Sequence, residues 1–200
     1  MSPWLIDVLG WAAAVMGTVS GLPQLIRILR ARTSAGVSLA MWLLQAAAGL
    51  GWFAHGLYVA RPNVIFPNLL IAITSAVVVV MVCRDRGKRF LGSLALVVGL
   101  GLGLLAIDVW LGAAIFGMII ALPLLIGQVT QLRDLLRDPD VSGVSGVFLG
   151  VNTFVQYLWC FWAIFAPDLA IIISGGSVGT LTFVNLLLFW RRSRSLGKAG

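Results

Sequence analysis

Residues 24–38 read QLIRILRARTSAGVS, and residues 131–145 read QLRDLLRDPDVSGVS. Laid on each other without a gap, the two stretches are identical at seven of fifteen positions: Gln24/Gln131, Leu25/Leu132, Leu29/Leu136, Arg30/Arg137, Gly36/Gly143, Val37/Val144 and Ser38/Ser145. Apolar stretches match readily by chance. Gln, Arg, Gly and Ser at matched places do so far less often, and the same shift lays Trp52 on Trp159. The chain is read as an internal repeat, and the repeat organises everything else.

The surroundings of the repeat are apolar. Of the 200 residues 60% are hydrophobic and 10% are charged, against roughly 25% charged in an average soluble domain. Mean hydropathy is +1.03. The charges bound seven charge-free stretches: 8–26, 33–60, 62–83, 90–107, 109–132, 141–167 and 169–190. Each is close to or above the length of about 20 mostly apolar residues that a membrane-spanning helix needs. The expected fold class is an all-α integral membrane protein with seven transmembrane helices. The start, Met-Ser-Pro-Trp, lacks the basic segment of a signal peptide, so the first apolar run is expected to be a retained span.

The net charge of +7 and the pI near 10.8 are explained by the membrane. Seven spans put residues 27–37, 84–89, 133–144 and the C-terminal tail on one side, and these carry 13 of the 14 Lys and Arg. Arg61 is alone on the other side. Cytoplasmic loops hold the Lys/Arg excess, so the C-terminus is expected inside and the N-terminus outside. The charge then requires no nucleic acid, and the partner it implies is the lipid bilayer.

At the shift that lays Gln24 on Gln131, the repeat unit comprises three helices. Residues 1–86 are expected to form the first unit, 87–110 a linker helix, and 111–200 the second unit with a basic cytoplasmic tail. The extra helix restores the direction of the second unit, giving a 3+1+3 parallel repeat about an axis along the membrane normal. In transporters with repeats, substrate sits near the midplane at the repeat interface. One chain holds both units, so a monomer suffices, and assembly into a homo-oligomer is left open.

An enzyme is excluded by inventory. The loops are short, Glu is absent, there is one His, and the two Cys lie far apart in the chain. No catalytic residue, metal site or cofactor is expected from that set. Cys83 and Cys160 read as small buried hydrophobes without a disulfide. The glycines of the fourth and seventh apolar stretches read as close helix packing, not as a nucleotide loop.

Leu22-Pro23-Gln24, the basic loop after it, Gly-Val-Ser, Trp52, and Asn68 sixteen residues later resemble the PQ-loop pattern. With the 3+1+3 layout, the chain resembles the SWEET sugar transporters, the MtN3-like two-repeat relatives of bacterial SemiSWEETs. The resemblance implies facilitative uniport of a small mono- or disaccharide by alternating access in the cell (plasma) membrane, with the Trp and Asn lining the sugar site. The second repeat departs from the pattern. Thr130 stands in place of the Pro, and Gly175 falls where a second Asn is expected, with Ser174, Ser177 and Thr180 nearby.

The chemistry of these residues suits a sugar. An indole face matches the C–H face of a pyranose and its N–H can donate to a hydroxyl. An amide offers two donors and an acceptor at one point. The expected substrate-binding set is Trp52, Asn68, Trp159, Gly175, Ser177 and His55, with the two indoles facing each other across the repeat axis. Trp42, Trp110 and Trp190 read instead as interface anchors or fillers of helix contacts. His55, one turn beyond Trp52, reads as a neutral packed residue whose repeat partner, Trp162, cannot titrate. Proton carriers show acids or His within their spans; here each Asp falls near a span boundary, and uniport is expected.

Arg61 and Asp168 coincide under the repeat shift. They are expected to form an ion pair closing an external gate, with Tyr58 beside it; the family's Arg at this spacing has a similar gating role. Pro23 removes a backbone hydrogen bond within the first span, and Gln24 is placed to cap a freed carbonyl. With Pro123 and Gln131 in the second unit, these form the expected hinge set. Other readings are a carrier of another neutral solute, such as a vitamin precursor (Trp159-Cys160-Phe161-Trp162 resembles the aromatic signature of such carriers) or an amino acid, and a non-transporting PQ-loop receptor.

Overall fold

Ser38 and Ser145 end the two matched segments, and each starts a helix. The Ser38 hydroxyl accepts from the Met41 N–H at 3.2 Å, and the Ser145 hydroxyl from the Phe148 N–H at 3.1 Å. Each bond satisfies one of the donors that a helix start leaves unpaired. The computed structural model describes residues 1–19, 26, 30, 34, 37–137 and 144–196. Among the described residues there are seven helices: α1 (Pro3–Val19), α2 (Leu39–Tyr58), α3 (Pro62–Asp85), α4 (Phe90–Leu111), α5 (Ala113–Arg137), α6 (Gly146–Phe165) and α7 (Leu169–Leu196).

The helix bounds repeat at the sequence shift. α2 and α6 each begin one residue after their serine and run for 20 residues. The turns that follow also correspond. The Arg61 N–H donates to the Gly56 carbonyl at 2.9 Å, and the Asp168 N–H to the Ala163 carbonyl at 3.3 Å. Ala60, in the first of these turns, has φ 53°, in the left-handed region that disfavours a side chain.

Five helices, α3 to α7, are long and apolar enough to cross a bilayer, and the chain is an integral membrane protein. The first charge-free stretch continues past α1 into residues outside the described set. α2 has the length, but Gln45, His55 and glycines 49, 51 and 56 dilute its apolar character.

Two compact units divide at Gly112: Met1–Gly112 and Ala113–Gly200. In the first, α3 packs against both α1 and α2, and α4 packs chiefly on α2. In the second, α7 packs against both α5 and α6, while α5 and α6 do not meet among the described residues. The third helix of each unit is thus the middle one.

Small residues set the close approaches. A Cβ on Gly49 would lie 2.9 Å from the Ala72 nitrogen, and one on Gly56 2.9 Å from the Ile65 nitrogen. These contacts are seven residues apart on both α2 and α3, which run antiparallel. In the second unit a Cβ on Gly179 would lie 3.0 Å from Gln156 Cβ. Gly179 and Gln156 are the repeat equivalents of Ala72 and Gly49, so the same crossing has its small residue on the opposite helix.

The glycines of α4 behave differently from the packing expected of them. A Cβ on Gly101 would press on Leu50 at 2.8 Å, but Gly92, Gly99 and Gly103 have open space around them. Only one stripe of α4 is applied to the unit, through Leu94, Val97, Gly101 and Asp108, and the other glycines lie off it. Trp42 fills a helix contact with Val37, Val78, Val79, Val82 and Cys83, whereas Trp110 and Trp190 are exposed.

A lost N-cap hydroxyl costs about 1 kcal/mol. Ser145→Ala is therefore expected to lower the melting temperature of the detergent-purified protein by a few degrees. An unchanged melt would show that the cap does not hold α6.

Candidate functional site

Trp52 and His55 stand one turn apart on α2, so their side chains share a face. Their rings meet edge to face, with centroids 5.6 Å apart and planes at 83°. The equivalent residues of α6, Trp159 and Trp162, meet in the same way at 5.5 Å and 88°. Trp52 is half-buried, while His55 and Trp162 are buried at 1% exposure. In each unit an inner ring thus supports a more accessible indole.

His55 is fixed from outside its helix. Its Nδ1 lies 2.7 Å from Asp108 Oδ2 on α4, and both side chains are 1% exposed. Sequence reading placed each Asp at a span boundary and missed this pair. Asp108 is near the end of α4, yet its carboxylate turns inward on the stripe that packs against α2. The spacing of Asp108 from Gly101 and Val97, seven and eleven residues, was the available signal: it puts the acid on the packed face.

Asn68 follows Pro67 inside α3 and is half-buried. Its amide nitrogen donates to the Val64 carbonyl of its own helix at 2.8 Å. That bond uses one of two N–H groups and leaves the amide oxygen unengaged by it. Ser177 likewise bonds its own helix, to Ile173 O at 2.7 Å and Ser174 O at 3.1 Å. Gly175 is buried, and a Cβ there would meet Cys160 Sγ at 3.1 Å and Gln156 O at 3.2 Å. The position expected to hold an Asn is thus a close contact between α6 and α7.

Of the expected gate residues, Tyr58 is exposed at the end of α2 and Arg61 is half-buried before α3. Asp168 is 6% exposed, and its Oδ1 accepts from the Ile171 N–H at 3.1 Å. It caps α7, where the helix dipole favours an anion. Arg61, its repeat equivalent, precedes α3, and its side chain does not cap that helix. Among the hinge residues, Pro23 and Gln24 lie outside the described residues. Pro123 is exposed inside α5, and Gln131 is half-buried further along it.

A second buried polar contact also escaped sequence reading. Asn185 on α7 is fully buried and donates to Gln128 on α5, to the backbone oxygen at 2.9 Å and Oε1 at 2.8 Å. Such bonds hold membrane helices together at modest individual strength.

These features define an all-helical integral membrane protein whose two units place aromatic pairs at equivalent positions. The PQ loop repeat family model matches residues 5–60. A protein named sugar transporter SemiSWEET from Bradyrhizobium diazoefficiens is 32% identical over 84 residues, which span 42% of this chain and 98% of that protein. A second one, from Escherichia coli, is 28% identical over 80 residues, 40% of this chain and 90% of that protein. The fold is similar to that of a eukaryotic SWEET transporter solved at 3.7 Å resolution, with TM-score 0.71 and 19% identity over 95% of this chain and 99% of that one. The chain belongs to the SWEET/SemiSWEET family.

Proposed function

We propose that the protein carries a small sugar, a mono- or disaccharide, through the cell membrane by uniport and alternating access. The observation that carries this reading is the pair of equivalent aromatic motifs, Trp52–His55 and Trp159–Trp162. Each presents an indole that an inner ring holds edge to face. An indole so held can stack on the C–H face of a sugar at little further cost in side-chain entropy. Asn68 adds hydrogen-bonding capacity on α3. A millimolar site corresponds to about −4 kcal/mol, within reach of a stacked ring and a few hydrogen bonds, and weak enough to release the sugar.

The relatives support the same reading. Both matched bacterial proteins are named sugar transporters, and each is covered almost whole by less than half of this chain. A chain carrying two copies of a one-unit transporter would match in that way, consistent with a 3+1+3 parallel repeat. The Lys/Arg bias supports a cytoplasmic C-terminus and an external N-terminus. Arg61 and Asp168 are proposed to contribute to an external gate with Tyr58, and Pro23, Gln24, Pro123 and Gln131 to the bending that opens the cytoplasmic side.

Uniport predicts that sugar equilibrates across proteoliposomes and goes no further. An imposed inward proton gradient should leave the final internal concentration equal to the external one. Accumulation above that level would overturn uniport and point to the His55–Asp108 pair as the proton-carrying group.

A further inference from the structure

We infer that Asp108 is a positioning residue for sugar binding, acting through His55 on Trp52, which makes α4 part of the recognition apparatus of the first unit. The inference rests on the reading of Trp52 as a sugar contact. Three observations on one line carry it. Asp108 Oδ2 lies 2.7 Å from His55 Nδ1. The His55 ring meets Trp52 edge to face at 5.6 Å. Asp108 and His55 are almost wholly buried, whereas Trp52 is half-buried.

The carboxylate limits how the imidazole can sit. Accepting from Nδ1–H, it fixes the proton on that nitrogen and the plane of the ring. The ring plane in turn sets the edge that Trp52 packs against, and so the angle of the indole. A free indole flips between rotamers, whereas one wedged by an anchored ring does not, and binding then loses less entropy.

The pair is a costly way to join two helices. Asp108 Oδ1 is buried and has no hydrogen-bond partner among the described residues. A carboxylate satisfied on one oxygen only is a poor glue compared with an apolar contact. Leu50 against Gly101 already joins α2 to α4 one to two turns away. The second unit makes the same edge-to-face contact with Trp162 in place of His55. An indole there fills its slot by bulk, whereas the smaller imidazole is held in its slot by an acid. The polar pair is therefore assigned to orienting the ring, a role that packing alone does not supply in the first unit.

The test is a double-mutant cycle on KM for glucose counterflow in proteoliposomes, with Trp52→Ala and Asp108→Ala alone and together. Asp108→Ala is expected to raise KM about tenfold and leave the maximal rate within twofold. Added to Trp52→Ala, it should raise KM no further, because nothing remains to be positioned. Asp108→Asn keeps an acceptor for Nδ1–H and should hold KM within twofold of the parent. Asp108→Ser, too short to reach Nδ1, carries the same cycle if the alanine variant does not fold. Additive effects of the two substitutions, or an unchanged KM with only a lower melting temperature, would overturn the positioning role. If Trp52→Ala itself left KM unchanged, the sugar-contact reading would fall first, which separates the two failures.

Discussion

Gly117→Leu is expected to break the second unit. A Cβ at this position would lie 2.6 Å from the Ala170 carbonyl oxygen and 2.8 Å from its Cα. Both are backbone atoms of α7 near its start, and backbone cannot swing aside as a side chain can. α5 and α7 would have to part at this contact. Overpacking typically costs about 1–3 kcal/mol, and a leucine against backbone belongs at the upper end of that range. Gly99→Leu is the control. Gly99 has open space around it, and the change removes the helix penalty of glycine, about 1 kcal/mol. Thermal melting in detergent should show a large fall for the first variant and none for the second. Equal melts would mean that α5 and α7 do not approach each other as described.

The second large effect concerns Trp159. Trp159→Ala removes the accessible indole of the second unit and leaves Trp162 buried beneath it. Loss of a stacking face is expected to lower sugar affinity about tenfold, which is about 1.4 kcal/mol. Trp159→Phe keeps an aromatic face and should recover part of that loss. Equilibrium binding or counterflow at several sugar concentrations reads the change. Trp162→Ala is a contrasting case: it empties a fully buried ring position, a change that costs about 3–5 kcal/mol in stability. A Trp159→Ala variant that bound sugar as the parent does would remove this indole from the proposed site.

Much of the fold was legible because the information is local. Ser38 and Ser145 were legible as matched positions of the repeat, and the structure makes each the cap of its helix. The offset of the repeat carried over to the bounds of α2 and α6 because the same Ser starts each helix and the same turn ends it. Less was legible where a residue's role depends on a neighbour distant in sequence. Asp108 sits 53 residues from His55, and sequence reading saw only that it falls near a span end. Its direction is set by which face of α4 meets α2, and an exposed, glycine-rich helix advertises that face weakly. Gly175 illustrates the same limit: its contact with Cys160 and Gln156 is defined only by the packing of α6 on α7. Asp168 was legible as a charge beside Arg61 in the repeat, but its capping bond to Ile171 is a property of the α7 start.

The proposed transport activity is tested most directly by counterflow of labelled glucose into liposomes holding the purified protein, beside a Trp52→Ala/Asn68→Ala variant of matched melting behaviour. The proposal predicts rapid accumulation of label against preloaded glucose by the parent protein and little by the variant. Equal counterflow by both would contradict a sugar site at Trp52 and Asn68. The absence of counterflow by folded parent protein, across a panel of mono- and disaccharides, would contradict sugar transport itself.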